Sequence, residues 1–282
     1  MYNVLSIDGG GVWGLGVARF IFEYEKLTGQ KFADKFKAFS GTSTGAIIAA
    51  MLCEGFTGEQ IYKLYKENLK KIFSAPWYYK INPFCPRYDN TYLANLLRNN
   101  LNGYMNGFTK PIFIPVSCSL GDQEKVFDRR DSDISKWKAV LCSTSAPLYF
   151  YPIDDMYMDG GLFLNNPCAA LQAGLVGTDL DGNYRMLSFG TGGSTVGRKL
   201  DPNMSVIGWG KYLATEWLAK AGESGSYIVK KNIGEHNFMR LKPILTDDTN
   251  YSADDVSNMD NIENIWVNVF NESIVNLNTF IG

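Results

Sequence analysis

The sequence KAFSGTSTGAIIAAMLC, residues 37–53, places a glycine-flanked serine between two apolar runs. Lys37–Ser40 predicts a strand, and Ala46–Cys53 predicts a buried helix because its residues are apolar or small on every side. The pentapeptide between them matches G-x-S-x-G, the pattern of a nucleophile elbow. The hydroxyl of Ser43 would then stand exposed at the N-terminus of a helix, where N–H groups favour negative charge. This stretch predicts a serine nucleophile, although the pentapeptide alone also fits a simple glycine-flanked turn.

A second glycine-rich turn follows the first predicted strand, Val4–Ile7, in the order Asp8-Gly9-Gly10-Gly11-Val12-Trp13-Gly14. Its spacing satisfies G-x-G-x-x-G, but dinucleotide binding also needs an acidic residue that closes the second strand. That strand instead ends in the serine turn, so the glycine-rich turn is more consistent with a role other than dinucleotide binding. Glycine turns also present backbone N–H groups to anions. Gly10 and Gly11 could therefore supply an oxyanion hole for a carbonyl that Ser43 attacks.

A serine nucleophile needs a base, and the chain contains one histidine, His236. The order Ser43, Asp159, His236 matches that of α/β-hydrolases. However, Ser43 comes early in the chain, and the alternating residues around His236 predict an ordinary half-buried strand. Asp159 precedes Gly160-Gly161 at a predicted strand end, where it fits either an Asx-type turn or a carboxylate base in a cleft. As a base, it would need a partly desolvated site that raises its pKa.

Predicted strands and helices alternate along the chain. This alternation indicates an α/β fold with a mainly parallel central sheet. A predicted helix over Met204–Lys231, a strand over His236–Leu241 and an amphipathic helix close the sequence. The 282 residues contain no repeat or linker, and we expect a single domain over 1–282.

Composition excludes several classes of protein. About 45% of the residues are hydrophobic and the formal net charge is −2, so no nucleic-acid partner is expected. The five cysteines are dispersed and odd in number, which argues against a disulfide framework or a zinc site. No signal peptide and no apolar window of membrane-spanning length are present. We expect a cytoplasmic protein with peripheral membrane contact at most.

An aromatic and proline-rich segment, Ser74–Asn90, predicts a loop or lid, since three prolines exclude a long helix. Aromatic residues suit the boundary between membrane and water, and Lys80 and Arg87 could meet phosphate groups. The alternative is that the aromatic side chains pack inward over the core. If the segment binds lipid, replacing Trp77 and Tyr78 by serine should weaken liposome binding without affecting hydrolysis of a short ester.

Taken together, the motifs resemble those of the patatin-like phospholipase family. They cover Met1 to about Gly193, whereas residues 194–282 carry no motif of this family. Each motif is weak alone, and the set in this order is specific. In family order, the motifs are Asp8–Gly14, Gly41–Gly45, Cys142–Pro147, Asp159–Gly161, Asn165–Pro167 and Ser188–Gly192.

The resemblance implies a three-layer fold with helices on both faces of the sheet, and a Ser–Asp dyad without histidine. Carried over, Ser43 is the nucleophile, Asp159 is the base, and Gly10 and Gly11 are the oxyanion donors. It also implies hydrolysis of lipid acyl esters, of the phospholipase A or lysophospholipase type, without metal or cofactor. The glycines that complete the motifs are Gly9, Gly14, Gly41, Gly45, Gly160 and Gly161. One departure is Trp13, which stands where the family often has arginine or lysine and leaves the headgroup preference open.

Other functions stay open at this point. The nearest alternative is a general carboxylesterase or triacylglycerol lipase, and a more distant one is a nucleotide- or lipid-binding protein without catalysis. We expect a lipid substrate at a membrane surface. The residues do not identify a regulatory ligand or an oligomeric state, although a homo-oligomer is compatible with them. Residues 194–282 either complete the domain or regulate it.

Overall fold

The computed structural model describes residues 1–76, 85–121, 125–192, 201–205, 208–209, 222–246, 249 and 251–282. Within them, one sheet of seven strands is flanked by helices. The strands are β1 (Tyr2–Ile7), β2 (Ala38–Gly41), β3 (Ile112–Cys118), β4 (Lys125–Phe127), β5 (Tyr157–Asp159), β6 (Tyr184–Phe189) and β7 (Phe238–Leu241). The helices are α1 (Gly14–Thr28), α2 (Thr44–Cys53), α3 (Gly58–Ile72), α4 (Thr91–Asn100), α5 (Lys136–Ser143), α6 (Gly161–Leu164), α7 (Cys168–Leu175), α8 (Glu223–Ile233) and α9 (Met259–Ile281).

The sheet has the order β4-β3-β2-β1-β6-β7, and β5 also pairs with β3. Five neighbouring strands are parallel to one another: β3, β2, β1, β6 and β7. The strands β4 and β5 run antiparallel to β3. This confirms the predicted mainly parallel sheet. The order along the chain reverses at β1, which lies between β2 and β6. Ligands of open α/β sheets bind at such a point, beyond the carboxyl ends of the strands.

Helices cover both faces of the sheet, as predicted. Neighbouring residues of a strand point to opposite faces, and Leu5 and Val4 accordingly belong to two different hydrophobic clusters. The larger cluster, around Leu5, contains side chains of α1, α2, α3 and α9. The smaller one, around Val4, contains side chains of α7 and α8. The resulting three layers set the position of every strand end at the candidate site.

The C-terminal helix α9 packs along α1, and this packing explains one glycine. A Cβ atom on Gly16 would lie 1.7 Å from Cδ1 of Trp266, so only glycine fits where the two helices meet. The predicted amphipathic character of this helix is confirmed, because Ile262, Trp266 and Phe270 are all buried. Among the residues that the structure describes, no helix is both long and apolar enough to cross a membrane.

Two elements in the last third differ in part from the prediction. In the described part of the predicted helix Met204–Lys231, Met204 and Ser205 are not helical, whereas Gly208 and Trp209 are helical and α8 spans Glu223–Ile233. His236, predicted within a strand, lies in an exposed 3₁₀ turn that spans Glu235–Asn237. Gly234 has a φ of +89°, which ends the helix and delays the strand until Phe238. The alternation of apolar and polar residues around His236 could not by itself reveal this break between α8 and β7.

Only the ends of the proline-rich segment Ser74–Asn90 are described. Trp77, Tyr78 and Lys80, on which the prediction of a lipid-binding lid depended, lie outside the described residues. Tyr88 is buried, and its ring packs against the rings of Phe73 and Phe150. At this end of the segment, therefore, the aromatic side chain packs inward.

Candidate active site

The serine turn has the backbone of a strained elbow. Ser43 caps α2 with φ +53° and ψ −124°, a conformation that costs a non-glycine residue about 1–3 kcal/mol. Close backbone packing explains the flanking glycines. A Cβ atom on Gly41 would lie 2.2 Å from the carbonyl oxygen of Gly45, and one on Gly45 would lie 2.2 Å from that of Ile7. The strand, turn and helix around Ser43 thus follow the order that the sequence predicts.

Ser143 ties this elbow to the strand that carries Asp159. Its hydroxyl accepts a hydrogen bond from the Ser43 N–H at 3.1 Å and donates one to the Pro115 carbonyl at 2.7 Å. Its own carbonyl accepts the Gly160 N–H at 3.3 Å. Ser143 lies within the motif Cys142–Pro147, but its sequence predicts no role for it. Its one available signal was a hydroxyl at the end of the apolar run Ala139–Cys142.

Asp159 ends β5 and is buried, with 5% of its surface exposed. Its Oδ1 accepts the Gly161 N–H at 2.7 Å, whereas Oδ2 has no well-formed hydrogen bond with a described residue. Burial raises the pKa of Asp159 to about 6, outweighing the lowering effects of the Ser43 hydroxyl and the Gly161 N–H. The structure thus brings Ser43 and Asp159 together. A carboxylate with a pKa near neutrality is a better proton acceptor than an ordinary aspartate.

The glycine loop, residues 9–11, lies directly beside the serine. A Cβ atom on Gly9 would be 3.1 Å from Cβ of Ser43. The N–H groups of Gly10 and Gly11 donate to no acceptor among the described residues. Two unpaired donors next to a serine nucleophile are the components of an oxyanion hole.

Two asparagines hold the loops around the site. The Asn165 carbonyl accepts the Gly9 N–H at 3.0 Å, and its side chain lies against Gly161. Oδ1 of Asn166 accepts the Cys168 N–H at 3.0 Å and so caps α7. Through these contacts Asn165 joins the glycine loop to the Asp159 turn, and Asn166 fixes the start of α7.

His236 lies beyond the amino ends of the parallel strands, whereas Ser43 lies beyond their carboxyl ends. His236 precedes the first residue of β7, which is parallel to β6, β1 and β2, whereas Ser43 follows the last residue of β2. A four-residue strand separates its amino end from its carboxyl end by about 13 Å. A triad through His236 is therefore excluded by topology.

A buried ion pair, which the sequence analysis did not predict, lies where β1 enters the glycine loop. Asp8 accepts hydrogen bonds from Arg240 Nη1 at 3.3 Å and Nη2 at 2.6 Å, and Arg240 also contacts Glu223. Burial raises the pKa of Asp8 to about 6, although the nearby guanidinium lowers it. The pair joins the ends of β1 and β7 directly below the candidate oxyanion donors.

The arrangement of a serine elbow, a buried aspartate and a glycine loop corresponds to one family. The family model described as Patatin-like phospholipase matches residues 5–171, which is more than half of the chain. The chain belongs to the patatin-like phospholipase family. This confirms the resemblance inferred from the motifs, and it places the matched region over β1 to α7.

Curated relatives in this family come from plants, animals and bacteria. Patatin-like protein 2 of Arabidopsis thaliana is 28% identical over 267 residues, covering 74% of this chain and 64% of the relative. Intracellular phospholipase A2 of Caenorhabditis elegans is 25% identical over 185 residues, covering 61% and 16%. A cGAMP-activated phospholipase of Vibrio cholerae is 28% identical over 195 residues, covering 58% and 55%. The chain therefore spans less than two thirds of the length of each of these relatives.

Among solved structures, VipD from Legionella pneumophila is similar at 13% sequence identity and a TM-score of 0.45. The match covers 96% of this chain and 67% of that one.

Proposed function

We propose that this patatin-like chain is a lipid acyl hydrolase of the phospholipase A or lysophospholipase type, with Ser43 as nucleophile and Asp159 as general base. The observation that carries the proposal is the buried Asp159 carboxylate, with a pKa of about 6, next to a serine held at φ +53°. A serine presented at a strained elbow needs one nearby proton acceptor, and Asp159 is that group.

The reaction would proceed in two steps. Asp159 accepts the Ser43 proton while Ser43 attacks the ester carbonyl, and the N–H groups of Gly10 and Gly11 stabilise the oxyanion. The protonated Asp159 then gives its proton to the departing alcohol, which leaves an acyl-enzyme. In the second step Asp159 deprotonates a water molecule, which attacks the acyl-enzyme; Asp159 then returns this proton to the Ser43 oxygen as the bond to the acyl group breaks and the fatty acid leaves.

Exposed apolar side chains next to the dyad support a lipid substrate. Leu162 and Phe163 follow the Asp159 turn directly and are 40% and 39% exposed. Leu148, after the Ser143 segment, is 67% exposed. Apolar side chains in this position suit an acyl chain or a membrane surface better than a polar soluble ester. The relatives named phospholipase support the same substrate class, and we propose peripheral contact with a membrane.

The setting and domain organisation are part of the same proposal. The five cysteines all lie within the described residues and form no disulfide, which supports a reducing, cytoplasmic environment. The strand β7 and the helix α9 belong to the sheet and to the larger core, and this supports a single catalytic domain over 1–282.

Dinucleotide binding at the glycine loop is the less favoured alternative. In that mode a pyrophosphate rests on the N–H groups where the loop enters its helix. Here the carbonyl oxygen of Ala253 already accepts the Val12 N–H at 2.8 Å. A carbonyl oxygen at this position would repel phosphate.

The test is a comparison of substrates. The purified chain is incubated with vesicles of long-chain phosphatidylcholine, with the corresponding lysophospholipid, with a triacylglycerol emulsion and with a short soluble ester, and fatty acid release is measured. We expect release from the phospholipid or the lysophospholipid, and none from Ser43→Ala. Hydrolysis of the soluble ester or the triacylglycerol alone would replace the proposal with an esterase or lipase. Equal release by Ser43→Ala would refute it.

A further inference from the structure

A short segment from the C-terminal third covers the glycine loop. We name Tyr251–Asp254 the strap. Besides the bond from Val12 N–H to the Ala253 carbonyl, Nε1 of Trp13 donates to the Tyr251 carbonyl at 3.0 Å. The rings of Trp13 and Tyr251 are stacked, with centroids 6.0 Å apart and planes inclined by 18°. Trp13, which stands where the family often has a basic residue, is thus buried as a partner of the strap.

The strap touches the backbone of the loop itself. Gly11 has φ +59°, and a Cβ atom there would lie 2.1 Å from the Ala253 carbonyl oxygen. On the other side of the loop, a Cβ atom on Gly10 would lie 2.3 Å from the hydroxyl of Thr191, beyond the end of β6. The candidate oxyanion donors are therefore enclosed between the strap and the sheet. This enclosure, as well as the turn, therefore requires glycine at positions 10 and 11.

Asp254 fixes the far end of the strap. Its Oδ2 accepts hydrogen bonds from the Tyr88 hydroxyl at 2.8 Å and from Arg87 at 3.2 Å. Its Oδ1 accepts the Ser252 hydroxyl at 2.6 Å. The Asp254 side chain is 11% exposed and Tyr88 is buried, whereas the Arg87 side chain is 48% exposed, so the hydrogen bond from Tyr88 is the more shielded of these contacts.

The partners of Asp254 are themselves held in place. The backbone N–H groups of Arg87 and Tyr88 donate to the carbonyls of Leu148 and Tyr149, at 3.1 and 2.8 Å. Leu148 and Tyr149 follow α5, the helix that ends at Ser143 and holds the serine elbow. The strap is thus anchored at one end to the loop that carries the oxyanion donors and at the other to the surroundings of the nucleophile.

We propose that the strap is a positioning element for the oxyanion hole, with Trp13 and Asp254 as positioning residues that do not touch the substrate. The inference rests on the proposed function. Oxyanion donors act only when they are held within a few tenths of an ångström of the developing charge. With the Val12 N–H bonded to Ala253, the peptide planes of the loop cannot rotate freely, and the Gly10 and Gly11 donors stay next to Ser43.

Two variants loosen the strap at different ends. Trp13→Phe keeps an aromatic ring but removes the donor to Tyr251, and Asp254→Asn removes the charge that pairs with Arg87. The matched control is Asp255→Asn, because Asp255 is adjacent and its side chain, among the described residues, accepts hydrogen bonds only from Ser257 and Asn258. Each variant is assayed with a short soluble ester, and amide hydrogen exchange is followed in the peptide that contains Val12.

We expect kcat of Trp13→Phe and Asp254→Asn to fall about 10- to 100-fold, up to the loss seen when one oxyanion donor is removed, with KM within about twofold. Exchange at the Val12 amide should become faster in both, while Asp255→Asn matches the wild type. Asp254→Asn keeps the size of the side chain, so it remains informative if Trp13→Phe fails to fold.

The alternatives give different results. Unchanged kcat with faster exchange would mean that the strap covers the loop without positioning it, and a higher kcat would make it an inhibitory lid. Either result overturns the inference and leaves the proposed function intact. A wild-type chain that hydrolyses no ester at all would overturn both.

Discussion

Replacing the buried Asp159 by asparagine should remove activity and make the protein more stable, relative to the wild type, at high pH than at low pH. Asp159 has a pKa of about 6 in the folded chain, against an ordinary value of 3.8. Ionisation is therefore harder in the folded state, and the wild type loses stability as the pH rises from about 4 to above 6. Two pKa units correspond to about 3 kcal/mol at pH 8, and to about half of that at pH 5. Asparagine has no charge to desolvate and escapes this loss.

The net gain is smaller than this, because the amide brings a cost of its own. Oδ1 of the asparagine can still accept the Gly161 N–H, but its NH₂ group replaces Oδ2, which has no well-formed hydrogen bond with a described residue. A buried, unsatisfied amide costs about 1–3 kcal/mol. That cost does not depend on pH, whereas the gain does. We therefore expect the stability difference between Asp159→Asn and the wild type to grow by roughly 1–2 kcal/mol from pH 5 to pH 8.

Urea unfolding of both proteins at the two pH values measures this difference. The matched control is Asp128→Asn, at another buried aspartate. Burial raises the pKa of Asp128, but the hydrogen bonds from Arg130 outweigh it and the net pKa is lowered. That variant should be less stable than the wild type by the same amount at pH 5 and pH 8. If Asp159→Asn shows a constant difference as well, or is less stable at pH 8 than at pH 5 relative to the wild type, the raised pKa is wrong.

Three further predictions concern the surroundings of the dyad. The kcat/KM for a soluble ester should fall about tenfold per pH unit below pH 6, as Asp159 becomes protonated; a flat profile down to pH 5 would exclude it as the base. Ser143→Ala leaves the half-buried Ser43 N–H without its acceptor, and should cost about 1 kcal/mol in urea unfolding and lower kcat; a variant with wild-type values would show that Ser143 does not hold the elbow. Arg240→Met leaves Asp8 buried and unpaired, so we expect a loss of about 3–5 kcal/mol at pH 8, which unchanged thermal unfolding would contradict.

The parts of the fold that could be predicted depend on neighbours in the sequence. The capping box of α3, in which Thr57 and Gln60 bond each other's backbone, involves residues three positions apart. The serine elbow is partly local, since Gly41 packs on Gly45 four residues further on, although Gly45 also packs on Ile7 at the end of β1. Amphipathic spacing identified α9 because its apolar side lies mainly against one partner, α1.

The remaining features depend on contacts between distant segments, which a single sequence does not encode in a readable way. Asp159 meets Ser43 only because β5 pairs antiparallel with β3, and Arg240 meets Asp8 only because β7 joins the sheet beyond β6. The partner of Trp13 lies in a segment without any family motif. The sequence therefore showed that Trp13 departs from the family, but not what the departure does.

The central claim is a Ser–Asp dyad that works without histidine, and active-site labelling tests it most directly. The wild type, Asp159→Asn and His236→Ala are treated with a fluorophosphonate at pH 8, and the modified residue is located by peptide mass mapping. We expect Ser43 to be labelled at equal rates in the wild type and His236→Ala, and not in Asp159→Asn. Labelling at another residue, or its loss in His236→Ala, would contradict the account.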